Sequence, residues 1–195
     1  MKKDLKSEIL MKARELFNTN GYNEVSMRHI ADTLGISVGN LTYHFKRKED
    51  LVEAVVLEQH THYKKGVEAK TLEELNSFFK RILEHQSKNQ YYFRHYNQLA
   101  QISPKVYEIQ LNVMSDWCRT LKGSFNNLYK VGLMKEEVFN GQWDKLIGVL
   151  RLTCVHGIEY FRDDELKVLW GMIYPQLTQK GQKVFHETLG LLEKI

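Results

Sequence analysis

The residues best equipped for specific chemistry form one run, Met27-Arg28-His29-Ile30-Ala31-Asp32-Thr33-Leu34-Gly35-Ile36-Ser37-Val38-Gly39-Asn40-Leu41-Thr42-Tyr43-His44-Phe45-Lys46. A helix-turn-helix needs a small residue where its helices cross, a residue tolerant of positive φ at the turn, and apolar anchors on the inner faces. Ala31 meets the first need and Gly35 the second, while Ile30, Leu34, Ile36 and Leu41 meet the third in the right order. Ser26 and Ser37 are placed to cap the two helices. Such a pair sets the N-terminal residues of its second helix against base edges in the major groove. The outward side chains there are Ser37, Val38, Asn40, Thr42, Tyr43 and His44, an unusual set for a packed surface. Asn40 carries an amide suited to pairing with adenine, and Val38 a surface suited to a thymine methyl. The plainer reading is a short helical hairpin with a solvated polar face.

Other chemistries find less support. No Gly-rich phosphate loop, H-E-x-x-H or C-x-x-C pairing is present, and the chain is read as a non-enzyme without a cofactor. Glu58, His62 and Tyr63 resemble a fragment of a metal site, with Glu58 and His62 on one helix face. A partly exposed helix surface is the commoner explanation, so no metal is expected. Cys118 and Cys154 are far apart, which points to a reducing cytoplasm rather than a disulfide framework. The basic start Met1-Lys2-Lys3 leads into no apolar signal segment, and no apolar run has the length of a membrane span. With 28 Lys and Arg against 24 Asp and Glu, the net charge of +4 permits a nucleic-acid partner without establishing one.

The elements that must position the run are helical throughout. Leu5, Ile9, Ala13, Leu16 and Phe17 share one face of a first helix, and Gly21 is placed to end it in a left-handed cap. The second helix follows Ser26, the third runs from Ser37 to about Phe45, and a fourth from about residue 48 carries Leu51, Val52, Val55 and Val56. Beyond it, Thr71 caps a helix with Leu72, Leu75, Phe78, Phe79, Ile82 and Leu83 on its buried side. An aromatic segment, Tyr91 to Tyr96, leads to Ser103-Pro104, a favourable helix start. Tyr107, Leu111, Met114, Cys118, Leu121, Phe125 and Leu128 then form a stripe ending near Gly132, and Val106, Ile109, Val113 and Trp117 widen it, so that helix is expected to be covered on more than one side. A further helix spans about 142 to 162, with Gly148 and Gly157 small enough to admit another helix. An acidic start at Asp163-Asp164-Glu165 opens the next helix, and Thr178 caps a last one with Val184, Leu189 and Leu192. The expected fold is all-α.

In detail the chain resembles the tetracycline-repressor (TetR) family. The match is Ile30-Ala31-x-x-Leu34-Gly35-Ile36-Ser37-x-Gly39-x-Leu41-x-Tyr43-His44-Phe45-x-x-Lys48-Glu49-x-Leu51, with Leu16-Phe17-x-x-x-Gly21-Tyr22 upstream. The resemblance implies a DNA-binding domain over residues 1–47, its motif at 27–46, and a larger helical ligand-binding and dimerisation domain over 48–195. It implies base-edge contact from Ser37, Val38, Gly39 and Asn40. Phosphate contact would come from Ser26, Arg28, Thr42, Tyr43, His44, Lys46 and Lys48, which position the protein without reading sequence. Two departures stand out: Thr42 replaces a frequent tyrosine, and Arg47 replaces a residue able to cap the fourth helix through its side chain. The implied protein is a cytoplasmic homodimeric repressor, released from double-stranded operator DNA by a small-molecule effector. Tyr92, His95, Tyr96, Met114, Trp117, Trp143 and Cys154 are the candidate pocket residues, although aromatics at helical spacing are more often plain core. The competing reading is a helical ligand-binding or interaction protein that does not bind an operator.

Overall fold

The computed structural model describes residues 4–61, 63–161 and 164–190. The expected roles of His62, Asp163 and Leu192, and the projected helix end at Arg162, lie outside them. Among the described residues the chain is helical, with one isolated bridge between Met134 and Leu177 and no sheet. None of these helices is long and apolar enough to cross a membrane. The chain divides into two compact units, Met1–Lys64 with Lys88–Leu111, and Lys65–Ser87 with Asn112–Ile195.

The first unit contains α1 (Leu5–Asn20), α2 (Met27–Leu34), α3 (Val38–His44) and α4 (Lys48–His60). Asp4 caps α1, whose buried residues Ile9, Ala13, Leu16 and Phe17 follow the expected spacing. Gly21 departs from expectation. Its φ is positive, at 84°, but its ψ of 149° is extended rather than left-handed helical. That region is open essentially to glycine alone. The reason is packing: the chain leaves α1 extended and brings the buried Tyr22 edge-on to Phe17, 5.5 Å between ring centres. After α4, the same unit takes in α6 (Gln90–Arg94), α7 (Tyr96–Ile102) and the start of α8 (Pro104–Lys130).

The second unit is built on α5 (Leu72–Lys88), the rest of α8, α9 (Gln142–His156), α10 (Glu165–Ile173) and α11 (Gln179–Leu189). Phe79, Phe125, Trp170 and Phe185 are fully buried in its core, and the Trp170 indole N–H donates to Asn76 Oδ1 at 2.9 Å. Two expectations are corrected. On α8, Tyr107 and Leu111 are each 51% exposed, while Val106 and Gln110 are buried in their place. A 4-3 repeat drifts by about 20° per heptad on a straight helix, so one stripe cannot face the core along the whole length of α8. The helix expected to reach residue 162 ends at His156 and continues as a single 3-10 turn, Gly157–Glu159. Gly157 is buried there, and a Cβ on it would lie 3.2 Å from the Phe161 ring, tighter than an ordinary contact. Gly148 admits no neighbour within this chain, having nothing within 4 Å of a built Cβ.

Candidate nucleic-acid interface

The geometry of α2 and α3 follows from three local devices. Ser26 Oγ accepts from the His29 N–H at 3.1 Å and starts α2. Gly35, at φ 67° and ψ 28°, ends it in the left-handed region. There the Ile36 N–H closes onto the Ala31 carbonyl at 3.1 Å, the backbone pattern that seals a helix end. Ser37 Oγ then accepts from the Asn40 N–H at 3.1 Å and starts α3 only three residues later. Ile30, Ala31, Leu41 and Phe45 are buried beneath the pair, and Leu34 and Ile36 are half-buried.

This arrangement leaves one side of α3 in solvent. Val38 is 39% exposed and Tyr43 84% exposed, and Gly39 and Asn40 are exposed with them. The Thr42 hydroxyl donates back to the Gly39 carbonyl at 3.1 Å, leaving its lone pairs free to accept but its proton engaged. The half-buried His44 ring stands edge-on to Tyr43, 5.3 Å between centres. No carboxylate lies on α3. Lys46 is exposed just beyond it, whereas Arg28 sits 3.9 Å from Asp32 on α2. The letters Gly35-Ile36-Ser37-Val38-Gly39 spell G-x-S-x-G, but a nucleophile elbow requires a strand before the serine. Here a helix precedes it, and its oxygen serves as a cap.

Arg47 behaves as its chemistry dictates. It caps nothing through its side chain; instead Asp50 accepts from the Arg47 backbone N–H at 3.1 Å and from its guanidinium at 2.9 Å. Lys48 is held in a way the sequence did not reveal. Its ammonium donates to the Asn23 carbonyl at 3.3 Å and lies 4.2 Å from the centre of the Tyr22 ring. Burial pushes the Lys48 pKa below its usual value and raises that of Tyr22 to about 12, with Glu49 adding to the latter. From α7, Gln98 Nε2 donates to Asn23 Oδ1 at 2.9 Å. Lys6 on α1 lies 5.9 Å from the Phe45 ring centre, a second cation near the end of α3.

Residues 9–55 match the family model described as bacterial regulatory proteins, tetR family. Over 171 residues, 83% of this chain and 88% of the relative, the sequence is 28% identical to the HTH-type transcriptional regulator QacR of Staphylococcus aureus. It is 42% identical to the HTH-type transcriptional regulator UidR of Escherichia coli, over 53 residues that make up 27% of each chain. The tetR-family match thus covers the segment that runs from α1 into α4. A TetR-family transcriptional regulator from Marinobacter aquaeolei shares the chain's fold, with a TM-score of 0.77 at 20% identity over 96% of this chain and 97% of that one. The sequence relatives are HTH-type transcriptional regulators, and the family match spans α2 and α3.

The residues expected to form an effector pocket fall in both units. In the first, Tyr92 is buried, with its ring 5.3 Å from His60 and 5.5 Å from Tyr96. His95 is half-buried, bonded through Nδ1 to Gln98 Oε1 at 3.1 Å and set against Tyr22. In the second unit, Trp117, Trp143 and Cys154 are buried members of the apolar core, and Met114 packs against it. Burial raises the Cys154 thiol pKa to about 12. Among the described residues, no group of acidic, histidine and cysteine side chains has the composition of a metal site.

Proposed function

We propose that the protein is a repressor that binds a palindrome-like operator as a twofold dimer and leaves it when a small molecule binds. The carrying observation is the exposed face of α3, where Val38, Gly39, Asn40 and Tyr43 stand free of carboxylates on a helix held rigidly by Ser37, Leu41 and Phe45. Residues 1–47 serve as the DNA-binding domain and residues 48–195 as the regulatory and dimerising part. Ser37, Val38, Gly39 and Asn40 meet base edges. Ser26, Arg28, Thr42, Tyr43, His44, Lys46 and Lys48 meet phosphates.

Dimerisation uses α9 and α10. Val149 and Leu152 are about half-exposed on α9, and Gly148 and Gly171 have nothing within 4 Å of a built Cβ. A second copy covering this apolar face would bury on the order of 2,000 Å². Effector response runs through the aromatic segment, with Tyr92, His95 and Tyr96 as its contact residues. That segment is bonded to both helices flanking the DNA-reading pair. The Tyr91 ring lies 5.6 Å from Phe17 on α1, its N–H donates to Asn18 Oδ1 at 3.2 Å, and its hydroxyl donates to Gln59 on α4 at 2.8 Å. A molecule that displaces these rings moves α1 and α4, and it releases DNA to the extent that it binds the displaced arrangement more tightly.

Selection of bound duplexes from random-sequence DNA by the purified protein tests the reading. The expected product is a palindrome-like site with half-site centres about 34–36 Å apart or a multiple of that. Recovery of no preferred sequence would overturn operator recognition and favour a helical binding protein that does not read DNA.

A further inference from the structure

We propose that Gln98, far from the recognition helix in sequence, is a positioning residue for DNA binding: it holds the cradle that presents the Lys48 ammonium to the phosphate backbone. The cradle has two sides. One is the Asn23 carbonyl, which accepts from Lys48 Nζ at 3.3 Å, and the other is the Tyr22 ring, 4.2 Å from the same nitrogen. The Gln98 amide reaches both sides. Its Nε2 donates to Asn23 Oδ1 at 2.9 Å, and its Oε1 lies 3.1 Å from Nδ1 of His95, whose ring packs against Tyr22 at 6.0 Å. All five residues belong to the first compact unit.

The physical consequence is preorganisation. Lys48 opens α4, where the positive end of the helix dipole disfavours a cation, so the carbonyl and the ring face offset a position that would otherwise repel the ammonium. An ammonium has three donors. With one on Asn23, others remain for a phosphate oxygen. An unrestrained lysine gives up rotamer freedom when it meets a phosphate, whereas a cradled one gave it up on folding. Tyr22 stays neutral across the working pH range, its pKa raised to about 12, so the ring keeps the face that attracts the cation. Gln98 and Asn23 are both exposed, so removing the Gln98 amide strands no buried polar group and leaves the core intact.

The inference rests on the phosphate-anchoring role proposed for Lys48, and a set of three variants separates the two. Binding of wild type, Lys48→Ala, Gln98→Ala and the double variant is measured by fluorescence anisotropy, over a salt series, on the duplex that the wild-type protein selects from random-sequence DNA. Lys48→Ala is expected to reduce the salt slope by about one unit per half-site. Gln98→Ala is expected to weaken binding about 3- to 10-fold, the effect of losing one orienting hydrogen bond, with the slope unchanged because every phosphate partner is still present. In the Lys48→Ala background, Gln98→Ala should have no further effect. A Gln98→Ala loss of equal size in both backgrounds, or in neither, overturns the positioning role and leaves Lys48 as an anchor. An unchanged slope in Lys48→Ala overturns the anchor and the positioning role with it.

Discussion

Gly39 and Gly35 are two positions where an added methyl group meets almost nothing, yet opposite outcomes are expected. At Gly39, a built Cβ would have only Ser37 Oγ nearby, at 3.8 Å, and the backbone is helical; at Gly35, nothing lies within 4 Å, but φ is +67°. Gly39→Ala therefore restricts the unfolded chain without straining the folded one, which stabilises by about 0.4–1 kcal/mol. For a chain of this length that raises Tm by roughly 1–4 °C. Gly35→Ala forces an L side chain into the left-handed region, at about 1–2 kcal/mol, and lowers Tm by roughly 2–8 °C. Function separates from stability at the first site. Gly39 lies on the exposed face of α3, where under the proposed function its missing side chain lets the backbone approach the bases. A methyl there that displaces one good base-edge pair costs about 1–3 kcal/mol of binding. Thermal unfolding by circular dichroism and anisotropy on the selected duplex read the two quantities independently. If Gly39→Ala lowered Tm, the local backbone account would be wrong; if it raised Tm and bound DNA as wild type does, α3 would not be the element that meets the bases.

Asn40→Ala should relax preference at a single base position in each half-site, at about 1–3 kcal/mol for a bidentate pair, as read on a matched set of duplex variants; uniform weakening across the set would make Asn40 an anchor rather than a reader. Leu152→Asp, placing a charge on the apolar face of α9, should yield monomers in sedimentation, and an undisturbed dimer would locate the interface elsewhere. Burial holds the His60 imidazole below its ordinary pKa of 6.5, against which its bond to the Val56 carbonyl works only in part. The folded state thus prefers the neutral ring, so this contribution to stability is complete above about pH 6.5 and declines as pH falls below it toward the folded value. Melting curves between pH 7.5 and 5.5 should fall more steeply for wild type than for His60→Gln, and matching slopes would remove His60 as a source of the acid sensitivity.

Local chemistry was enough to settle much of this protein. Ser26, Gly35 and Ser37 punctuate α2 and α3 as their side chains and backbone freedom require, because a cap or a positive φ involves only residues within four positions of one another. The helical fold and the helix-turn-helix run were legible for the same reason: they rest on short, dense patterns. What depended on distant partners was hidden. The stripe on α8 carried no sign that Tyr107 and Leu111 face outward, since a periodic pattern records spacing and not which neighbours arrive to cover it. Gly21 was recognisable as a helix end, but its extended ψ answers to the packing of Tyr22 on Phe17. Lys48 could be placed on a helix but not in a cradle, and Gln98 carried no signal at all. Its proposed role comes from a hydrogen bond to a loop 75 residues away, a contact that exists only once the first unit has folded.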